Sequence, residues 1–152
     1  MDEKAKRMNL AVPQRKITAP PLPPSIVPRV TLVQRLSEAI SGASHYKLIL
    51  LDAPAGYGKT TLLAEFALAS ELPCCWSFLE RSEAEPLTFL RLLLASLRQC
   101  FSTFGELLLP LLSDTAIAEA DSTYPFMVLE ALIEAMAREI PERFVLLLCH
   151  YQ

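Results

Sequence analysis

Nine consecutive residues, Ala53-Pro54-Ala55-Gly56-Tyr57-Gly58-Lys59-Thr60-Thr61, have types and a spacing suited to holding a chain of phosphates. Gly56 and Gly58 allow a tight turn in which successive backbone N–H groups converge on phosphate oxygens. Lys59 supplies a mobile cation for β- and γ-phosphates, and the Thr60 hydroxyl suits a Mg2+ ion carried with a nucleotide. The string matches the phosphate-binding P-loop at its Gly-Lys-Thr end and departs from it at the first position, where Ala53 stands in place of glycine. Alanine fits there only if its φ stays negative. An empty structural turn is the competing reading. Against it, two of the chain's four glycines fall in this one turn.

Hydrolysis would ask for more. An acidic residue at the end of a neighbouring strand normally helps to hold the metal and orient the attacking water. The expected place follows Phe144–Leu148, and there the chain reads Cys149-His150-Tyr151-Gln152. Glu80 follows another strand candidate and reads as a solvated strand-end side chain. Cys149 and His150 would point to opposite faces of a strand, which argues against a nucleophile pair. No catalytic residue is assigned.

The elements that must position this loop follow from the apolar pattern. Lys47–Asp52, just before it, is a short apolar run that predicts a strand buried on both faces. Thr60–Ser70, just after it, is helical in composition and ends before Pro73. Upstream, Leu32, Leu36, Ala39 and Ile40 share one helical face, with Gly42 as a stop signal. Downstream, Cys74–Leu79 reads as a second strand. Pro86 opens a helix with Leu87, Leu90, Leu94 and Leu97 on one face, and Pro125 opens another that runs to about Ile140. Phe144–Leu148 is a third strand candidate. The stretch from Phe104 to Ala120 is helical in composition but broken by Pro110, and its boundaries are not legible. Strands alternating with helices predict an α/β fold: a P-loop NTPase-type parallel sheet with flanking helices, incomplete at about three strands.

Composition bounds the rest. The chain has 152 residues and is 52% hydrophobic, enough for one domain with a core. Its longest uncharged stretch, Ile17–Pro28, is twelve residues with five prolines, too short and too broken to span a membrane. Half of the twelve prolines lie in the first 28 residues, so residues 1–28 are expected to be an extended arm and 29–152 the nucleotide-binding body. Residues 1–29 carry a balance of +4 and residues 30–152 one of −7. An acidic body argues against binding duplex DNA, which depends on phosphate neutralisation. Four cysteines without a paired Cys-x-x-Cys spacing signal neither a zinc site nor a redox motif, and suit a reducing cytoplasm.

Several of these segments together resemble a known family. Lys16-Ile17-Thr18-Ala19-Pro20-Pro21, Val27-Pro28-Arg29, the loop from Ala53 through Thr61 with Leu62-Leu63, and Trp76-Ser77-Phe78-Leu79-Glu80 look like the start of a large LuxR-type, MalT-like transcription activator of the STAND class of ATPases. The resemblance implies ATP or ADP with Mg2+ as cofactors, bound by Ala53–Thr61. It also implies an active, self-associating state supported by ATP and a resting one supported by ADP. By position it places Arg29 near the nucleotide; an exposed arm residue is the alternative. The family's strand matching Phe144–Leu148 ends in two acidic residues, replaced here by Cys149 and His150. The family reads DNA through a C-terminal helix-turn-helix, and 152 residues hold no such element, so a truncated member that does not bind DNA on its own is the expectation. Two other classes compete. A small P-loop kinase would need an acceptor-binding acid and an Arg-rich lid, which the leucine-rich region after Pro86 does not clearly offer. A nonfunctional remnant would leave the loop without a role.

Overall fold

The structure, a computed structural model, describes residues 10–41 and 47–150. Its centre is a two-stranded parallel sheet of β1 (Cys74–Leu79) and β2 (Val145–His150), in register from Cys74 opposite Val145 to Leu79 opposite His150. β1 is covered on both faces, as a run that is apolar but for Ser77 requires. On one face Trp76 and Phe78 stack with ring centroids 5.6 Å apart, and pack with Leu147, Cys149 and Ala64. On the other, Cys75 joins the largest cluster, built by Leu87, Leu90, Leu94 and Leu97 of α3 (Pro86–Cys100) with Val128, Leu132 and Ala135 of α5 (Tyr124–Glu139).

Local chemistry sets the helix starts. The Glu85 side chain accepts from the Leu87 and Thr88 N–H groups, and Pro86 occupies the first turn, where its missing N–H costs nothing. The predicted apolar stripe of α3 is buried along its whole length. In α1 (Val30–Ser41), by contrast, the covered face is Val33, Leu36 and Ile40, packed on Leu62 and Phe66 of α2 (Lys59–Ala69), while Leu32 is exposed. Gly42, the expected stop signal, lies outside the described residues. Between α3 and α5 the chain makes 3-10 turns at Glu106–Leu108 and Pro110–Leu112 and a short α4 (Asp114–Ala118). The described part of the arm is irregular apart from a 3-10 turn at Gln14–Lys16, and it buries Ile17 against Leu92 and Ala95.

One expectation is corrected. Lys47–Asp52 is not a strand, so the described residues hold two strands rather than three. Its burial alternates: Ile49 and Leu51 pack on the α1–α2 cluster, whereas Leu48 and Leu50 are each 85% exposed. Between this run and β2 lies an apolar cavity of about 1000 Å³, lined on one side by Leu48, Ile49 and Leu51 and on the other by Val145, Leu146 and Leu147. The apolar composition reported a demand for burial, but only Ile49 and Leu51 are covered, and the run forms no ladder with β2.

Candidate functional site

The run from Lys47 leads into the glycine turn, which leads into α2. Gly56 and Gly58 have φ of +81° and +74°, a region that glycine enters without the steric cost a side chain imposes. Ala53 is not among the positive-φ residues, so alanine at that position introduces no backbone strain. The Tyr57 N–H donates to the Pro54 carbonyl at 3.4 Å, closing the turn, while the Tyr57 ring is largely exposed. Gly58 is the N-cap of α2, with no side chain capping it and no acidic residue in the first turn. The opening N–H groups of an eleven-residue helix, at the positive end of its dipole, are therefore left without a competing carboxylate.

Two cations border this turn. The Lys59 ammonium donates to the carbonyls of Ala53 at 2.5 Å and Pro54 at 3.0 Å, folding back over the loop that precedes it. The Arg29 guanidinium donates to the carbonyls of Tyr57 at 3.0 Å and Gly58 at 3.1 Å. Arg29 is further fixed by its backbone N–H, which donates to Glu65 Oε1 at 3.1 Å, while Glu65 Oε2 is buried without a partner among the described residues. Thr60 and Thr61 are half-buried in the first turn of α2. The structure thus brings Arg29, Lys59 and the residues from Ala53 to Thr61 together. The arrangement offers free helix N–H groups and two positive charges at one turn, which is the chemistry of an anion site.

The end of β2 offers something else. Cys149 is buried against Trp76 and Phe78, and burial pushes its thiol up to about 11. It is a protonated core residue at neutral pH. His150, next to it, is exposed on the opposite face, so the two do not act as a pair. Tyr151 and Gln152 lie outside the described residues. Among the described residues no three His, Cys, Asp or Glu side chains converge as metal ligands.

Glu80 departs from its sequence reading. It is held by Arg15 at 3.3 Å and Lys16 at 3.0 Å, and Lys16 also donates to Glu83 at 2.7 Å. The Lys16 and Glu83 side chains are only 7% and 6% exposed. Burial opposes both charges, but the hydrogen bonds between them prevail: the Lys16 ammonium is held above its ordinary range and the Glu83 carboxyl below its own. This cluster straps the arm to the turn after β1. The sequence carried no signal for it, since the partners lie 67 residues apart.

The comparisons with known proteins bear on less than half of the chain. Over 66 residues the chain is 41% identical to the HTH-type transcriptional regulator MalT of Cronobacter sakazakii. The likeness is to MalT regulators. The MalT proteins of Yersinia enterocolitica and Klebsiella pneumoniae are 41% and 38% identical over 64 and 66 residues. Each alignment covers 42–43% of this chain and 7% of the relative, so the chain aligns with a small fraction of the MalT length. No family model matches the chain, and no solved structure does. No helix among the described residues is long and apolar enough to cross a membrane.

Proposed function

We propose that the chain is a nucleotide-binding switch domain of a MalT-like regulator, taking ATP or ADP at the turn from Ala53 to Thr61. The observation that carries this reading is the pair of positive-φ glycines delivering Lys59 into the uncapped, acid-free first turn of α2. The likeness to MalT over 66 residues supports the regulatory context. In this reading the loop N–H groups and Lys59 hold the phosphates, with Lys59 exchanging its loop carbonyls for phosphate oxygens. Arg29 adds positive charge at the same end of α2. The Thr60 hydroxyl would hold a Mg2+ ion carried with the nucleotide, whose chemistry there would be to neutralise phosphate charge. Because β2 ends in a buried neutral thiol and an exposed imidazole, the chain binds nucleotide with little or no hydrolysis. ATP favours a self-associating form, for which Leu48, Leu50 and Leu148 supply exposed apolar surface.

Titration with a fluorescent ATP analogue tests the reading. A charge-assisted phosphate contact is worth about 1.5–3 kcal/mol, so Lys59→Ala should weaken binding roughly tenfold to a hundredfold. An unchanged titration of that variant would overturn the proposal.

A further inference from the structure

Three of the four cysteines meet where β1 begins and α3 ends. Cys75 is fully buried on the α3 face of β1. Cys100, the last residue of α3, is exposed, and its thiol donates to the Cys74 carbonyl at 3.5 Å. That carbonyl belongs to the peptide joining Cys74 to Cys75, so the exposed sulfur sits at the backbone of the buried cysteine. The Cys74 side chain points the other way, toward the Trp76 and Phe66 clusters.

We propose that Cys75 and Cys100 are a reversible disulfide pair, with Cys100 the sulfur that meets the oxidant. A hydroperoxide is the class of oxidant that fits a small exposed thiol. The Cys100 thiol loses its proton, its sulfur attacks one oxygen of hydrogen peroxide, the O–O bond breaks, and the hydroxide that leaves takes up that proton as water, giving a sulfenic acid on Cys100. The Cys75 sulfur then attacks the Cys100 sulfur. The S–S bond forms, the S–O bond breaks, and the oxygen leaves as a second water with the Cys75 proton. Two thiols are oxidised and one peroxide is reduced. Burial, followed by the neighbouring Cys100 sulfur, holds the Cys75 proton well above the ordinary thiol range. The closing step therefore quickens as pH rises, and Cys75 is inert unless Cys100 has reacted. The link would tie the first pair of β1 to the end of α3 and close the chain between them into a loop.

The whole reduced chain is treated with hydrogen peroxide at pH 7 and pH 9, the remaining thiols are alkylated, and the peptides are mapped by mass spectrometry. The expected product is one intramolecular Cys75–Cys100 link, forming faster at pH 9. It should raise the melting temperature by several degrees, and dithiothreitol should reverse it. Cys100→Ser, at an exposed position, should leave Cys75 unoxidised and remove the thermal shift. Cys75→Ala should let Cys100 proceed to the sulfinic acid. A Cys74–Cys100 link, an intermolecular link as the main product, or a sulfinic Cys100 in the unmutated folded chain would each overturn the proposal.

Discussion

The Arg29 guanidinium lies against the bare Cα of Gly58: a Cβ added there would come within 2.3 Å of Arg29 Nη2. The φ of +74° is what requires the glycine, since the Cβ would meet only the far end of a flexible side chain, which can shift aside. Gly56 has a similar φ of +81° but open space around it. Gly56→Ala should cost about 1–2 kcal/mol for the left-handed backbone alone. Gly58→Ala should cost about as much through its own φ and push the Arg29 guanidinium off the Tyr57 and Gly58 carbonyls. Urea unfolding of the two variants checks this; a cost at Gly58 several-fold larger than at Gly56 would refute it.

The strap between Lys16 and Glu83 should be felt at both ends of the pH scale. Glu83 is held below the ordinary carboxylate range, so its contribution is present above that range and lost as pH falls through the lowered value. Lys16 is held above its ordinary 10.5, so its contribution is full below that pH and lost as pH climbs through the raised value. At pH 7 Lys16→Ala, which leaves the buried Glu83 carboxylate without a cation but still bonded by the Glu80 N–H and the Ser82 hydroxyl, should cost about 2 kcal/mol. The stability gap between the unmutated chain and Glu83→Gln should narrow as pH falls below the ordinary carboxylate range, measured by thermal unfolding across pH.

Ser96 and Leu94, both fully buried on α3, should respond in opposite directions. The Ser96 hydroxyl is buried without a hydrogen-bond partner among the described residues, so Ser96→Ala removes an unpaired polar group and should stabilise by about 1 kcal/mol. Leu94 sits in the cluster shared by α3 and α5, and Leu94→Ala should cost about 2–5 kcal/mol by leaving a cavity. Chemical denaturation midpoints distinguish the two.

Restoring acids at the end of β2 should have unequal effects. Cys149 is 6% exposed among apolar rings, so Cys149→Asp buries a carboxyl and should destabilise by about 3 kcal/mol. His150→Asp, at an exposed position, should be tolerated. Phosphate release by the unmutated chain should stay at background; turnover that Lys59→Ala removes would refute the argument from the missing acids.

What could be read from the sequence depended on whether a residue's partner was nearby. Cys74–Leu79 was legible because an apolar run stands between Pro73 and Glu80, and α3 because its leucines recur at helical spacing behind Pro86. The glycine turn was legible because φ requirements are local to the residue. The region around Pro110 was not, since five leucines flanking one proline between Leu107 and Leu112 fit no period, and two 3-10 turns resulted. The Lys16 cluster was hidden because a basic arm reads as solvated until a distant carboxylate is brought to it. Lys47–Asp52 misled because apolar content measures how much a segment gains from leaving water and says nothing about which backbone lies beside it.

That run also sets a gradient of local opening. Alternate amides of β1 and β2 bond across a parallel ladder, whereas those from Leu48 to Asp52 lie outside any ladder, with Ile49 and Leu51 packed on one side. Deuterium should therefore enter the run within the first moments of exposure and reach the ladder-bonded amides of β1 and β2 only through cooperative unfolding. The amide of Ile49 becomes an internal clock: its exchange would slow by orders of magnitude if a neighbouring strand came to fill the space beside β2.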